Sequence, residues 1–145
     1  MPKVFLDKKI LRLIDANLNR IKEGIRVLED INRFVLDDKC SSGDLKKIRH
    51  HIFRLIKSLP IRVDTLIYAR EIESDVGRPS IKSENKRRNL EDIFCANVQR
   101  IKESLRVLEE FSKLFNAKIA TEFKFIRYKV YGLEKKTIKR IRDCK

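Results

Sequence analysis

The sequence predicts an all-α fold: a helical bundle of two pseudo-symmetric helical hairpins, each a long helix plus a shorter one, joined by an irregular loop. The first observation is a repeat, because residues 15–35 (DANLNRIKEGIRVLEDINRFV) recur as residues 95–115 (CANVQRIKESLRVLEEFSKLF) with apolar residues at helical spacing in both copies. The second is composition, since 145 residues contain only four Gly and three Pro. So few turn-forming residues favour a small number of long elements.

The repeat extends into a second helix of each half. Residues 45–55 (LKKIRHHIFRL) align with residues 123–133 (FKFIRYKVYGL). We therefore expect a single helical domain over residues 1–145, with repeat units at 8–59 and 84–142 and a connecting segment at 60–83. Two copies of one hairpin pack most simply about a pseudo-twofold axis as a four-helix bundle.

The start and stop signals of the first half define two helices. Asp7 is a good N-cap, so the first helix is expected to run from there to about Leu36. Ser41 and Asp44 resemble a capping box that opens the second helix, and Pro60 ends it.

The connecting segment is the irregular part of the chain. Residues 61–70 have strand-like or short helical character, whereas Gly77 and Pro79 indicate a loop in the residues that follow.

The signals of the second half define two further helices. Ser83 or Asn89 is expected to cap the third helix, which runs to about Phe115. The fourth helix is predicted from about Lys118 to Arg142.

Charge and composition restrict the function classes. The net charge of +14 indicates an anionic partner, which leaves nucleic acid, an acidic membrane surface and phosphorylated small molecules open. No stretch is long and apolar enough to cross a membrane, and the first residues do not resemble a signal peptide. The three cysteines form no CxxC pair, which is typical of a reduced cytoplasmic protein, and Cys95 is expected to be a buried small hydrophobe.

The polar residues of the repeat are kept as faithfully as the apolar ones, which indicates chemistry as well as packing. On a helical wheel with Asn17 at zero, Arg20 at about 300° falls inside a wide apolar sector and Glu23 at about 240° lies on its edge. The equivalent residues of the second copy are Asn97, Arg100 and Glu103. Pseudo-symmetry would bring the two triplets together as a buried polar pocket, with Gly24 and Ser104 leaving room beside each guanidinium, and such a pocket suits an anionic ligand.

A purely structural interpretation of the triplet stays open. In it, Arg20 pairs with Glu23 one turn away, and Asn17 bonds a neighbouring backbone group. In either case Lys22, Arg26 and Arg33 are expected to face solvent.

The connecting segment adds further candidates. Arg70 and Arg87 are cations that can reach the same mouth, and Gly77 allows close backbone approach or positive φ. Carboxylates suited to Mg²⁺ are Asp75, Glu71 and Glu23. His50, beside Arg49, is either an acid–base group or a packed helix-edge residue.

These motifs, taken in order, resemble a known family. RLIDANLNRIKEGIRVLEDINRFV, LKKIRH, AREIESDVG and SENKRRNLEDIFCANVQRIKESLRVLEEFSK resemble a small all-helical family of thiamine biosynthesis, whose members stand alone or are fused to the N-terminus of thiamine-phosphate synthase. The resemblance implies a kinase that phosphorylates hydroxymethylpyrimidine phosphate to the diphosphate, with ATP as co-substrate and Mg²⁺ as cofactor. The chain is too short for the synthase's own (β/α)₈ barrel.

Phosphoryl transfer needs mainly positioning and charge neutralisation, so the hypothesis assigns roles by charge. The catalytic candidates are Arg20, Arg100 and Asp75. The substrate- and phosphate-binding candidates are Asn17, Asn97, Arg70, Gly77, Arg87 and Arg49. The candidate magnesium ligands are Glu23, Glu103 and Asp75.

Two departures from the family pattern concern these roles. Glu71 stands where the family usually has Asp, and Cys95 stands in the place that Asp15 takes in the first copy.

Two other functions remain as alternatives. One is a non-catalytic accessory domain of thiamine-phosphate synthase that delivers its pyrimidine substrate. The other is a basic helical nucleic-acid binder, which the carboxylates interleaved among the cations and the lack of an aromatic stacking platform disfavour. The sequence leaves a homodimer open.

Overall fold

The protein is all-helical, as predicted. A computed structural model describes residues 6–144, and within them it contains five α-helices and no strand. The helices are α1 (Lys8–Asp30), α2 (Lys39–Ser58), α3 (Val63–Tyr68), α4 (Leu90–Ser112) and α5 (Ala117–Asp143). A π-helical segment, Ile31–Val35, extends α1, and a 3₁₀ turn, Lys82–Asn85, precedes α4.

Polar side chains cap the four long helices at their N-termini. Asp7 accepts a hydrogen bond from the Lys9 amide, as predicted, and Asn89 rather than Ser83 caps α4. The predicted Ser41–Asp44 capping box is wrong, since Asp38 is the N-cap of α2 and accepts from both the amide and the hydroxyl of Ser41. The carboxylate reaches the third amide of the helix, which leaves Ser41 inside the first turn.

The four long helices enclose one core. α1 packs along α4, each of these contacts its own hairpin partner, and α2 closes the bundle against α5. The largest fully buried side chains include Phe94, Phe123, Ile21, Leu28, Ile101 and Leu108. The expectation of a shorter second helix holds only for the first hairpin, because α5 has 27 residues against 23 in α4.

A glycine sets the closest approach of the two central helices. A Cβ atom at Gly24 would lie 2.7 Å from Cγ1 of Ile101 and 3.3 Å from the carbonyl oxygen of Asn97. Gly24 therefore lets the backbone of α1 approach the side chain of Ile101 on α4. The expectation that Gly24 leaves room beside a guanidinium is wrong.

The sequence predicts strand-like or short helical character for residues 61–70 of the connecting segment, and the structure has a short helix there. α3 lies within residues 61–70 and packs against α1. Arg70 just beyond it donates to both carboxylate oxygens of Asp15, at 2.6 and 3.0 Å. This pair fixes the segment to the N-terminal half of α1. None of the helices in the described residues has the length and apolar character needed to cross a membrane.

Candidate functional site

The predicted buried triplet of α1 is only partly buried. Asn17 is 4% exposed and donates to the carbonyl of Leu13, as the structural interpretation expected. Arg20 is exposed, and the side chain of Glu23 is 69% exposed. The predicted buried position of Arg20 is therefore wrong.

The buried sector of α1 is displaced towards the opposite edge of the wheel. The charged residues buried on α1 are Asp15 and Glu29, each less than a tenth exposed and each paired with an arginine from another part of the chain. Phe34, which had widened the predicted sector on the Arg20 side, is 65% exposed. Carboxylates are held inside because each has a bidentate partner that offsets its desolvation.

The two triplets do meet, but at the surface. A terminal nitrogen of Arg100 lies 3.9 Å from a carboxylate oxygen of Glu23 across the α1–α4 contact, and both side chains are more than half exposed. In the second copy Asn97 donates to the carbonyl of Ile93, and Glu103 accepts from Gln99. The predicted polar pocket at the bundle centre is therefore a solvent-exposed polar cluster.

Two loop candidates, Asp75 and Gly77, lie beside the first turns of α1. Asp75 accepts from the amide of Gly77 and lies 3.9 Å from Arg12, and Gly77 has no positive φ. Arg87 donates only to nearby backbone carbonyls, those of Glu84 and Lys86. Asp75 and Gly77 therefore bind each other beside the first turns of α1, whereas Arg87 bonds within its own segment just before α4.

Glu71, another loop candidate, is held by two cations of α1. Lys8 lies 2.8 Å from its carboxylate, and this hydrogen bond, more than any other contact, lowers the pKa of Glu71. Arg12 donates to its main-chain carbonyl.

The candidate magnesium ligands do not converge. Glu23 is eleven residues beyond Arg12 on α1, which is roughly 16 Å along a helix axis, whereas Asp75 lies beside Arg12. Within residues 6–144 there is no group of three or more His, Cys, Asp or Glu side chains placed to hold a metal ion. Glu23 and Asp75 therefore do not act together as ligands of one Mg²⁺ ion.

A groove that combines apolar and cationic side chains lies between α1 and α2. It has a volume of about 340 Å³, and eight residues line it: Lys22, Ile25, Arg26, Arg49, His50, Ile52, Phe53 and Ile56. The floor is apolar and the rim is cationic. Binding pockets commonly combine an apolar lining with a few polar groups that orient the ligand.

The cations of this groove differ in how well they are neutralised. Arg49 donates twice to Glu29, at 3.1 and 3.3 Å, and Arg26 lies 3.5 Å from the same carboxylate. Lys22 is exposed, and no carboxylate in residues 6–144 lies within ion-pair distance of it. Its ammonium is therefore available to an anion that enters the groove.

The groove brings together Arg49, which was a predicted phosphate ligand, and His50, whose role was left open. It also includes Lys22 and Arg26, which the helical wheel assigned to a solvent-facing surface. Both side chains are exposed, as predicted. That they line a groove was not predicted.

The expectation that Cys95 is buried is wrong. Cys95 is exposed, and partial burial together with nearby carboxylates raises the pKa of its thiol. Exposed aromatic side chains do form a row on α5, namely Phe125, Tyr128 and Tyr131. Cations lie over these rings, including Arg127 over Tyr128 and Lys129 over Phe125, so the exposed aromatic residues are already in contact with side chains of their own helix.

Comparison with known proteins identifies the family. Residues 12–136 match the ThiD2 family. The chain belongs to the ThiD2 family. The matched range covers most of both hairpins and all of the connecting segment, and it includes the α1–α2 groove and every predicted site residue.

Similar ThiD2-type sequences occur within longer proteins. The thiamine-phosphate synthase of Synechocystis sp. is 34% identical over 141 residues, which are 93% of this chain and 39% of that protein. Those of Thermosynechococcus vestitus and Synechococcus sp. strain CC9605 are 35% and 37% identical, over 88% and 89% of this chain and 35% of each protein. The chain thus spans little more than a third of the length of these relatives. No solved structure matches it significantly.

Proposed function

We propose that this chain acts in thiamine biosynthesis as an accessory domain that binds a phosphorylated hydroxymethylpyrimidine and works with thiamine-phosphate synthase. Membership of the ThiD2 family and the similarity to proteins named thiamine-phosphate synthase support the pathway. The all-helical fold supports an accessory role, because the described residues contain no strand from which a (β/α)₈ barrel is built.

The α1–α2 groove is the observation that carries the proposal. Phe53 is 53% exposed and offers an apolar surface against which a flat pyrimidine ring can pack, and Lys22 offers an unpaired ammonium to the phosphate. Arg49 and Arg26 are already neutralised in part by Glu29, so they add a positive rim without a full unpaired charge.

Isothermal titration with hydroxymethylpyrimidine phosphate tests this binding function. We expect saturable binding of hydroxymethylpyrimidine phosphate and much weaker binding of inorganic phosphate and of the unphosphorylated pyrimidine alcohol. Inorganic phosphate lacks the ring that packs in the groove, and the alcohol lacks the phosphate that Lys22 binds. Equal binding of phosphate alone would indicate a non-specific anion site and contradict the proposal. Adding the chain to thiamine-phosphate synthase at limiting pyrimidine then tests the accessory role.

A kinase is the second candidate, and the exposed arginines favour it. Arg20 has no carboxylate within ion-pair distance in the described residues, and the Arg100–Glu23 distance of 3.9 Å is at the limit of an ion pair. Both guanidiniums are therefore available to the phosphates of a nucleotide.

In that reaction a phosphate oxygen of the pyrimidine substrate attacks the γ-phosphorus of ATP. The bond from that phosphorus to the β,γ-bridging oxygen breaks, and ADP leaves. Since the carboxylates do not form a metal site, ATP would enter as its magnesium complex. ADP release that depends on hydroxymethylpyrimidine phosphate, and that is lost in both Arg20→Ala and Arg100→Ala, would establish the kinase. Filter binding across salt concentrations tests the nucleic-acid alternative.

A further inference from the structure

The two hairpins provide an internal comparison for the groove. Arg49 pairs with Glu29 in the first hairpin, and Arg127 pairs with Glu109 at 2.8 Å in the second. These pairs occupy equivalent positions of the repeat, so they fix the register of each hairpin. Seven residues before the glutamate of each pair stands a lysine, Lys22 in the first hairpin and Lys102 in the second. Seven residues after the arginine of each pair stand Ile56 and Glu134, respectively.

The second hairpin fills its own groove. The ammonium of Lys102 lies 3.0 and 2.8 Å from the two carboxylate oxygens of Glu134, and its side chain is only 14% exposed. The same ammonium lies 5.1 Å from the ring centre of Tyr131, whose hydroxyl is 3.4 Å from Arg127. An anion and an aromatic ring are thus already in contact with the conserved cation of this half.

The first hairpin lacks that anion. Ile56 stands in the place of Glu134, Phe53 stands in the place of Tyr131, and both line the open groove. Lys22 is exposed and has no ion-pair partner in the part of the chain that the structure describes. The first hairpin therefore has the cation without the carboxylate that neutralises the equivalent cation in the second hairpin.

We infer that the first hairpin binds one aromatic phosphate per chain, with the phosphate against Lys22 in the place that the Glu134 carboxylate takes in the second hairpin. The aromatic ring lies against the exposed Phe53, and Ile56 is the residue that keeps the site open. The second hairpin takes no ligand because Glu134 occupies its site. This inference rests on the proposed function, and it adds the orientation, the stoichiometry and the half of the molecule that is used.

Exchanging the two residues that differ tests the inference. Ile56→Glu places a carboxylate beside Lys22, and we expect affinity for hydroxymethylpyrimidine phosphate to fall about 100-fold, since the ligand must displace an internal ion pair and meets a like charge. The glutamine of Ile56→Gln has nearly the same shape as the glutamate of Ile56→Glu but carries no charge. The affinity of Ile56→Gln for hydroxymethylpyrimidine phosphate should fall less than tenfold. Equal losses in the two variants, or no loss in Ile56→Glu, would overturn the inference.

The reverse exchange has a separate readout. Glu134→Ile should release Lys102 and raise the stoichiometry measured by titration from one ligand per chain towards two. A stoichiometry that stays at one, with circular dichroism showing an intact fold, would also count against the inference.

Phenyl phosphate separates this inference from the proposed function. If phenyl phosphate binds with the expected dependence on position 56 while hydroxymethylpyrimidine phosphate does not bind, the inference stands and the proposed function falls. If hydroxymethylpyrimidine phosphate binds regardless of position 56, the proposed function stands and the inference falls. If neither compound binds to the wild-type chain, both are overturned.

Discussion

At the scale of single residues, Gly24 shows how one small side chain determines the contact between the central helices. The added Cβ of Gly24→Ala would meet the branched and buried side chain of Ile101 at 2.7 Å. We expect the substitution to lower the free energy of unfolding by about 1–3 kcal/mol, as overpacking in a core does. Urea denaturation measures this change.

Gly132 provides the matched control. It lies inside α5, and no atom is within 4 Å of the position that its Cβ would take. Gly132→Ala should therefore raise the free energy of unfolding by up to about 1 kcal/mol through helix propensity alone. If both substitutions shift stability in the same direction, the close approach of α1 and α4 is not what Gly24 provides.

Asp38 couples the start of α2 to pH. Hydrogen bonds from Ser41, first of all from its amide, lower the pKa of Asp38, and Arg140 and Lys136 act in the same direction. A carboxyl whose pKa is lower in the folded state stabilises the protein at pH values above its unfolded pKa of about 3.9, and this stabilisation disappears as the pH falls through the lower folded value.

Asp38→Ala is thus expected to cost about 1–2 kcal/mol at neutral pH, the usual value of a lost N-cap. Urea denaturation at pH 7 and at about pH 3 should show a smaller difference from wild type at the lower pH. Asp38→Asn keeps an acceptor for the cap, so it should lose less stability at pH 7. A cost of Asp38→Ala that does not change with pH would contradict this account.

At the scale of elements, the connecting segment is attached to α1 by few side chains. Arg70 is the main anchor, because it forms a bidentate pair with the buried Asp15. We expect Arg70→Ala to increase the rate at which a protease cleaves residues 71–88, and also to lower the free energy of unfolding, because the buried carboxylate of Asp15 loses its partner. Arg87→Ala is the control, since Arg87 bonds only to nearby backbone carbonyls. Equal cleavage rates in both variants would show that the Arg70–Asp15 pair is not the anchor.

The sequence predicted the elements better than the burial of their charged residues. The repeat and the cap at Asp7 located the hairpins, because helix starts and apolar periodicity are local properties. Arg20 was placed inside because Val27 and Phe34 appeared to widen the apolar sector, yet Phe34 is exposed. Which edge of a wide sector is covered depends on where α2 and α4 pack, and a single helix does not encode that.

The groove was not predicted because a lone lysine on a helical wheel indicates solvent. Only the comparison of Lys22 and Ile56 with Lys102 and Glu134 reveals that one lysine has lost its carboxylate. Ile56 and Glu134 directly follow the aligned blocks 45–55 and 123–133, so the sequence alone shows that these two positions differ. It does not show that Glu134 contacts Lys102, and the difference has a meaning only once that contact is known.

At the scale of the whole molecule, the two hairpins differ in whether the lysine of the repeat is neutralised. In the second hairpin Glu134 neutralises Lys102, whereas the first hairpin has an open groove beside Lys22, on a chain of net charge +14. We expect Lys22→Ala to weaken binding of hydroxymethylpyrimidine phosphate by about tenfold or more, the value of a lost charge-assisted hydrogen bond. Lys9→Ala removes another exposed cation of the same helix that lies outside the groove, and the dissociation constant of this variant should stay within about twofold of the wild-type value. A similar loss in both would show that net charge, and not the groove, attracts the ligand.

A crystal structure with hydroxymethylpyrimidine phosphate bound tests the central claim most directly, because it locates the phosphate. The account predicts one ligand per chain, with a phosphate oxygen within hydrogen-bond distance of Nζ of Lys22 and the pyrimidine ring over Phe53. A phosphate held between Arg20 and Arg100 at the α1–α4 contact, with the α1–α2 groove empty, would contradict it.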